Sequence, residues 1–190
     1  MTGLTDRLRQ RAEAEGFTMS SAPQDGQLLA ALAAAKPGGS LLELGTGTGL
    51  GTVSLLRGMD STARLITVEL SETLSQAARK EIADPRVEWV VADGGDWLTA
   101  AVTRGERYDL VFADTWPGKF THLDEALSLV APAGFYVVDD LLPMPAWTPA
   151  HQADVDALVA RLGSLPGWHS FRANEGSGVL VCTRAVSPPG

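Results

Sequence analysis

The sequence predicts a doubly wound α/β fold, with seven strands in one mostly parallel sheet and helices on both faces of that sheet. Three observations carry this prediction. Short apolar runs alternate with helical runs after residue 40, a pattern typical of parallel sheets. The strand runs are almost continuously apolar, as expected when both faces of a strand are buried. The last two runs flank a polar segment that contains Gly176, which predicts an antiparallel hairpin.

The elements are expected in the following order. Two helices, Thr5–Glu15 and Gln24–Ala35, precede the sheet, and Pro37 with the glycines after it ends the second one. The parallel strands are expected at Leu41–Leu44, Leu65–Glu69, Val87–Val91, Tyr108–Ala113 and Phe135–Val138. The helices between them are expected at Leu50–Gly58, Ser71–Ile82, Asp96–Val102 and Phe120–Val130. A proline-rich loop and a helix at Ala150–Leu162 lead to the hairpin strands Trp168–Arg172 and Gly178–Thr183.

Length and composition suit one compact domain. The 190 residues are 45% hydrophobic and 20% charged, which is ordinary for a globular chain. We expect a single domain over residues 1–190, with a helical cap at 1–36, an α/β core at 37–186 and a frayed tail at 187–190. The formal net charge is -8 and no run of Lys and Arg occurs, so nucleic acid is not an expected partner.

The single cysteine and the termini indicate the compartment. Cys182 lies in an apolar run, so the chain can form neither an internal disulfide nor a cysteine-based zinc site. The N-terminus is too polar for a signal peptide. No apolar stretch approaches the roughly 20 residues that span a bilayer. We therefore expect a cytoplasmic protein without a membrane partner.

The strongest local signal is the glycine-rich turn after the first strand, Leu44-Gly45-Thr46-Gly47-Thr48-Gly49-Leu50-Gly51. Glycines there let the backbone approach a ligand closely, at the end of the sheet where parallel folds bind ligands. The spacing does not fit a dinucleotide fingerprint, because the sixth position from Gly45 is Leu50. A phosphate-binding loop is excluded because no lysine follows the glycines.

The run Glu43-x-Gly45-x-Gly47-x-Gly49 resembles the first motif of the class I S-adenosylmethionine-dependent methyltransferases, which have a Rossmann-like fold. The resemblance implies that Glu69, at the end of the second strand, binds the ribose hydroxyls, and that Asp93, after the third strand, contacts adenine. The cofactor-binding residues it implies are Met19, Ser20, Glu43, Gly45, Thr46, Gly47, Gly49, Glu69, Asp93, Gly94, Asp114 and Trp116. The alternatives are that the turn is only a tight connection and that Glu69 and Asp93 cap helices, with Ser71 as a competing cap.

The ends of the fourth and fifth strands narrow the resemblance. Asp114-Thr115-Trp116 and Asp139-Asp140 are similar to motifs of the catechol and caffeoyl-CoA O-methyltransferase group. In that group three such residues hold a divalent metal, usually Mg²⁺, that binds the acceptor oxygens. The segment Met19-Ser20-Ser21 resembles the lid that packs on the cofactor in the same group.

The chemistry of the three aspartates also favours a metal. Asp114, Asp139 and Asp140 should meet at neighbouring strand ends, and three carboxylates repel one another unless a cation joins them. Mg²⁺, Mn²⁺ or Ca²⁺ suits such oxygen ligands. Two departures stand against this metal site: Asp140 replaces an asparagine of the group, and Pro117 replaces its lysine. Alternatively, Asp139 or Asp140 points away and caps the next segment.

Three residues are candidates for proton transfer or positioning in catalysis. Asp114 is the first. Lys119 is the second, if its side chain swings back toward the aspartates; the alternative is that it remains solvated at the start of a helix. His151, after the proline-rich loop, is the third. The alternative interpretation is that it is a histidine in the first turn of a helix without a role in catalysis. Trp116, Phe120 and Trp147 lie in neighbouring loops and could form an apolar acceptor pocket.

Together these features predict an S-adenosylmethionine-dependent methyltransferase that methylates a hydroxyl of a small molecule. Two alternatives remain open: a metal-independent class I methyltransferase acting on nitrogen, carbon or a carboxylate, and a non-enzymatic S-adenosylmethionine-binding module. A nicotinamide oxidoreductase is disfavoured by the glycine spacing. The resemblance also implies a homodimer.

Overall fold

The computed structural model describes residues 2–14, 23–145 and 147–186. Their helices are α1 Thr2–Ala14, α2 Pro23–Ala34, α3 Leu50–Gly58, α4 Glu72–Glu81, α5 Gly94–Thr103, α6 Leu123–Leu129 and α7 Pro149–Gly163. Their strands are β1 Ser40–Leu44, β2 Arg64–Glu69, β3 Val87–Val91, β4 Tyr108–Ala113, β5 Val130–Val138, β6 Trp168–Ala173 and β7 Val179–Arg184. The predicted element order is confirmed. The expected tail at 187–190 lies outside the described residues.

The strands form one seven-stranded sheet in the order β3-β2-β1-β4-β5-β7-β6. Strands β1 to β5 are parallel, and β7 runs antiparallel to both β5 and β6. The predicted doubly wound fold with a C-terminal hairpin is therefore confirmed. The strand order reverses between β1 and β4, and open parallel sheets bind ligands at the carboxyl ends of the strands beside such a reversal.

Alternating side chains of the central strands build two cores, one on each face of the sheet. On β1, Leu42 and Leu44 join the core that α5, α6 and α7 cover, whereas Leu41 joins the core of α1, α2 and α3. The two-residue repeat of a strand explains this division. The same alternation points Glu43 toward α3, so that an acid of β1 is buried beneath that helix.

Of the boundaries that differ from the predictions, two have a visible backbone cause. Helix α6 begins at Leu123 instead of Phe120, because His122 has a left-handed backbone (φ 53°) that cannot continue from a preceding helix. Strand β5 begins at Val130 instead of Phe135; Val130 pairs with Tyr108, and the register shifts before Phe135 pairs with Leu110. Among the described residues, no helix is long and apolar enough to cross a membrane.

Close packing of α2 on α3 depends on Gly58. A Cβ atom at this position would lie 1.9 Å from the carbonyl oxygen of Ala30 in α2. Such a distance is far below van der Waals contact, so a side chain would force the two helices apart.

We expect Gly58→Ala to lower the free energy of unfolding by about 1–3 kcal/mol, because overpacking at a backbone contact displaces both helices. Gly163→Ala is the matched control, since Gly163 also ends a helix and has no atom within 4 Å of its would-be Cβ. The control should leave stability unchanged or raise it by up to about 1 kcal/mol. Urea unfolding followed by circular dichroism measures both; equal stability of the two variants would contradict the packing argument.

Candidate active site

The glycine-rich turn joins β1 to α3 in a backbone shape that side chains disfavour. Gly45, Gly47 and Gly49 all have positive φ values, of 94°, 52° and 93°. At Gly45 a Cβ atom would lie 2.6 Å from the carbonyl oxygen of Asp114, at the end of β4. Glycine therefore lets the turn pass directly over the neighbouring strand end.

Glu69 binds this turn directly. Its Oε2 accepts a hydrogen bond from Gly47 N at 2.9 Å, and its Oε1 accepts one from Ser71 N at 2.9 Å. The cap of α4 is Ser71, whose hydroxyl accepts from Leu74 N at 3.3 Å. Of the two capping candidates, Ser71 thus caps the helix, and the Glu69 carboxylate lies beside the turn. A carboxylate has lone pairs to spare for a vicinal diol.

Asp93 caps the next helix. Its Oδ1 accepts hydrogen bonds from Gly95 N at 2.8 Å and Asp96 N at 3.1 Å, at the start of α5. The capping alternative is confirmed for this residue, and its contact with adenine stays a prediction. Asp93 and Gly94 nevertheless lie on the same cleft as Glu69.

That cleft has a volume of about 400 Å³ and lies at the carboxyl ends of β1, β2 and β4. Two apolar side chains in its lining are exposed to solvent: Leu70 is 71% exposed and Trp116 is 52% exposed. Its lining is Leu44, Gly45, Val68, Glu69, Leu70, Ala92, Asp93, Gly94, Thr115, Trp116, Pro117, Thr121 and His122. Apolar walls with a few polar groups at one end are characteristic of sites for a small organic ligand.

Glu43 forms a buried network beneath the turn. Its Oε2 accepts hydrogen bonds from the hydroxyls of Thr52 at 2.5 Å and Thr67 at 2.6 Å. The Thr67 hydroxyl lies 2.5 Å from that of Thr46, and since Thr67 uses its proton on Glu43, Thr46 is the donor. The Glu43 side chain is fully buried and its Oε1 has no hydrogen-bond partner. Burial raises the pKa of Glu43 to about 7. Glu43 supports the turn from below through its hydrogen bonds to the threonines.

Lys119 lies among the aspartates that follow β4 and β5. Its Nζ is 3.7 Å from Asp114 Oδ1 and 3.9 Å from Asp140 Oδ2. The residue is only 5% exposed, so of the two expected positions the one close to the aspartates is confirmed. Burial raises the pKa of Asp114 well above its ordinary value, and the Lys119 ammonium opposes that shift.

Asp139 points toward the hairpin instead. Its Oδ1 accepts from the Ser177 hydroxyl and from Asp140 N, the latter at 2.7 Å, while its Oδ2 is buried without a hydrogen-bond partner. The same Ser177 hydroxyl lies 2.8 Å from Asp25 Oδ2 in α2, so the two carboxylates compete for its one proton. Burial raises the pKa of Asp139 to about 6.

The metal site expected at Asp114, Asp139 and Asp140 is not assembled in this arrangement. Within the part of the chain that the structure describes, no group of three His, Cys, Asp or Glu side chains could hold a metal ion. The physical reason is visible at each position. Lys119 Nζ lies near both Asp114 and Asp140, Asp139 is bonded to Ser177, and Asp140 has a left-handed backbone (φ 58°).

His151 belongs to an aromatic cluster beside these residues. Its ring stacks on Trp116 at 5.6 Å between centroids and meets Trp147 edge-on at 4.6 Å. Phe120 packs against Trp116 at 4.6 Å, so the aromatic residues expected around an acceptor are brought together. Next to them is a second cavity of about 360 Å³, lined by Trp116, Lys119, Phe120, Leu123, Asp154, Ala157, Leu158 and Arg161.

The polar partners of these acids carry no local sequence pattern that predicts them. In the sequence, Asp25 looks like any acid in the first turn of a helix, and Ser177 looks like any hairpin residue. The two are hydrogen-bonded although 152 positions separate them. The signal that could have marked Ser177 is its position between Gly176 and Gly178, both with positive φ. Thr52 and Thr67 lie in apolar surroundings, where a hydroxyl needs a partner. Met19 and Ser20, expected on the lid, lie outside the described residues.

Comparison with known proteins shows the family to which this chain belongs. Residues 42–141 match the model of a methyltransferase domain. A catechol O-methyltransferase from Mycobacterium tuberculosis is 32% identical over 155 residues, which are 76% of this chain and 69% of that protein. An O-methyltransferase from Bacillus cereus, solved in complex with SAH, has a TM-score of 0.82 at 20% identity and covers 96% of this chain and 90% of its own. The O-methyltransferase TomG from Streptomyces achromogenes, solved with SAM, has a TM-score of 0.80 at 21% identity, with coverage of 96% and 90%.

The buried carboxyl of Glu43 should make stability depend on pH. Between its ordinary pKa of 4.5 and its folded value of about 7, the folded chain keeps a proton that the unfolded chain has released. Stability due to Glu43 is therefore complete below pH 4.5 and falls as pH rises toward 7, by roughly 3 kcal/mol in total. Urea unfolding at several pH values, compared between wild type and Glu43→Gln, isolates this contribution.

The variant should gain stability relative to wild type as pH rises from 5 to 8, because its amide does not titrate. Glu72→Gln, on the exposed face of α4, should follow the wild-type curve. A constant difference between wild type and Glu43→Gln across this range would contradict the burial argument.

Proposed function

The chain belongs to the class I S-adenosylmethionine-dependent O-methyltransferases, and we propose that it methylates a hydroxyl oxygen of a small molecule held beside Trp116 and Lys119. The relatives that support this acceptor class are named catechol O-methyltransferases. The remaining alternatives of nitrogen, carbon or carboxylate acceptors, and of a binding module without turnover, are outcomes of the assays below.

The observation that carries the donor site is the hydrogen bond from Gly47 N to Glu69. In the proposed complex the ribose diol donates to the Glu69 carboxylate, and the exposed side chain of Leu70 packs on the adenine. Gly45 and Gly47 let the remainder of the nucleoside lie against the backbone of the turn. Asp93 and Gly94, which line the same cleft, contact the base.

The transfer itself needs alignment and a proton acceptor. The acceptor oxygen attacks the methyl carbon, the carbon–sulfur bond breaks, and its electron pair stays on sulfur as the sulfonium becomes a neutral thioether. The hydroxyl proton passes to the Asp114 carboxylate, which lies at the end of β4 beside the cleft. The Lys119 side chain faces the oxyanion that develops. Holding the two reactants in line supplies much of the rate enhancement.

The aromatic cluster is the proposed wall of the acceptor site. Trp116 lines both the donor cleft and the second cavity, so it separates the two reactants. His151 is packed between Trp116 and Trp147, which suits a residue that orients an acceptor ring. We include His151 in catalysis as a positioning residue for the acceptor.

A divalent metal does not fit the side chains as they are arranged, and the proposed reaction proceeds without a step through one. The proposal includes three further expectations from the sequence: a single domain, a cytoplasmic location and a homodimer. The net charge of -8 disfavours nucleic acid as a partner. The proposed partner is therefore a small-molecule acceptor.

Glu69→Gln tests the donor site. It should weaken the affinity for S-adenosylhomocysteine about 10- to 100-fold, because a charged acceptor of two ribose hydroxyls becomes a neutral amide. Isothermal titration calorimetry measures the affinity, with Glu72→Gln as a control that removes the same charge from the exposed face of α4. Unchanged binding by Glu69→Gln would place the nucleoside elsewhere.

A turnover assay tests the reaction class. Purified protein, S-adenosylmethionine and a panel of phenols, amines and carboxylic acids should release S-adenosylhomocysteine only with hydroxyl acceptors. Asp114→Asn should reduce kcat by roughly 10²- to 10⁴-fold through loss of the proton acceptor, whereas Asp156→Asn, on the exposed face of α7, should not. Methylated amines would establish the nitrogen alternative, and tight cofactor binding without any product would establish the binding module.

A further inference from the structure

Lys119 is held at the aspartates by the backbone around it. Gly118 has a positive φ of 93°, and a Cβ atom there would lie 2.6 Å from Leu44. The carbonyl of Gly118 accepts a hydrogen bond from the buried Tyr136 hydroxyl at 2.5 Å, and Lys119 N donates to Trp116 O at 3.2 Å. The turn that carries Lys119 is therefore pinned to β1 and β5, and the ammonium is preset at the strand ends.

The distances around the ammonium differ from those of a closed ion pair. Its 3.7 Å and 3.9 Å separations from Asp114 and Asp140 exceed hydrogen-bonding distance. A carboxylate from each of two neighbouring strand ends faces one cation, and Lys119 also lines the second cavity, of about 360 Å³. An acceptor hydroxyl could thus approach the ammonium without breaking a short bond.

An ammonium and a divalent ion cannot share this position. Mg²⁺ requires oxygen ligands at about 2.0–2.1 Å in octahedral geometry, and the Lys119 ammonium already lies 3.7 Å from Asp114 and 3.9 Å from Asp140, two of the three expected ligands. The third aspartate is also turned away, since Asp139 is bonded to Ser177 and to its own neighbour's N–H. Lys119 and the hydrogen bond between Asp139 and Ser177 together explain why the metal motif in the sequence is not assembled in the structure.

We propose that the Lys119 ammonium is a built-in cation, which occupies the position of the divalent metal and binds the acceptor oxygen directly. This role places Lys119 among the catalytic residues as an electrostatic partner of the oxyanion. Only the binding of the acceptor rests on the proposed methyl transfer; the exclusion of a metal by Lys119 does not.

Binding of Mn²⁺ tests the proposal without donor or acceptor. Electron paramagnetic resonance of free Mn²⁺ should show no specific site on the wild-type protein. Lys119→Ala, which leaves the carboxylates and opens space, should acquire one site that binds at least about tenfold more tightly than any on wild type. Lys119→Ala combined with Asp114→Asn should lose it. Lys80→Ala, on the exposed face of α4, is the matched control and should behave as wild type.

Three results would overturn the proposal. A stoichiometric Mn²⁺ site on the wild-type protein would show that a metal and Lys119 coexist, and this result does not depend on how any variant folds. A folded Lys119→Ala that binds no Mn²⁺ would show that the carboxylates do not form a cation site. Loss of wild-type turnover on addition of EDTA, restored by Mg²⁺, would show that catalysis requires a divalent metal. A protein that turns over no acceptor would refute the proposed function alone, because Mn²⁺ binding is measured independently.

Discussion

The constraint on which this structure depends is the burial of acids at one edge of the sheet. The carboxyl ends of β1, β4 and β5 bring Glu43, Asp114 and Asp139 into an environment that excludes water. Removing a carboxylate from water is costly unless it is protonated, hydrogen-bonded or paired. The molecule uses all three remedies. Burial raises the pKa of Glu43 and Asp139, threonine and serine hydroxyls donate to the same two acids, and Lys119 pairs with Asp114.

The glycine-rich turn depends on this buried layer. Thr46 in the turn, Thr67 on β2 and Glu43 on β1 form one chain of hydrogen bonds below the backbone, while Glu69 bonds to Gly47 beside the cleft. The turn is thus attached at both sides to strands that the core makes rigid. A preorganised backbone of this kind loses little conformational freedom when a ligand binds.

The layer also links distant parts of the chain. Ser177 has one hydroxyl proton and lies between Asp25 of α2 and Asp139 after β5, so it can satisfy only one of them at a time. Burial raises the pKa of Asp139 to about 6, so a proton on Asp139 resolves this conflict below that pH. Through this contact the N-terminal helices and the C-terminal hairpin meet at the same strand ends as the proposed acceptor site.

The sequence alone determined the fold class, the element order and the glycine-rich turn, with an acid beside it at the end of β2. These features follow from local patterns: apolar runs of strand length, glycines directly after β1, and an acid at the end of β2. Such patterns dictate backbone shape without reference to distant residues. Helix α6 begins later than expected because His122 takes a left-handed backbone, which periodicity does not reveal.

Only the tertiary structure decided how the acids are neutralised. The sequence placed three aspartates at neighbouring strand ends and left Lys119 either solvated or turned back. The choice was made by Tyr136 on β5 and Leu44 on β1, which hold the Lys119 turn from positions far along the chain. Asp139 is hydrogen-bonded to Ser177, 38 positions further along the chain, and Ser177 is hydrogen-bonded in turn to Asp25, 152 positions before it. Side-chain partners of this kind depend on which strands lie side by side, and charge balance in a buried site is a property of all of them together.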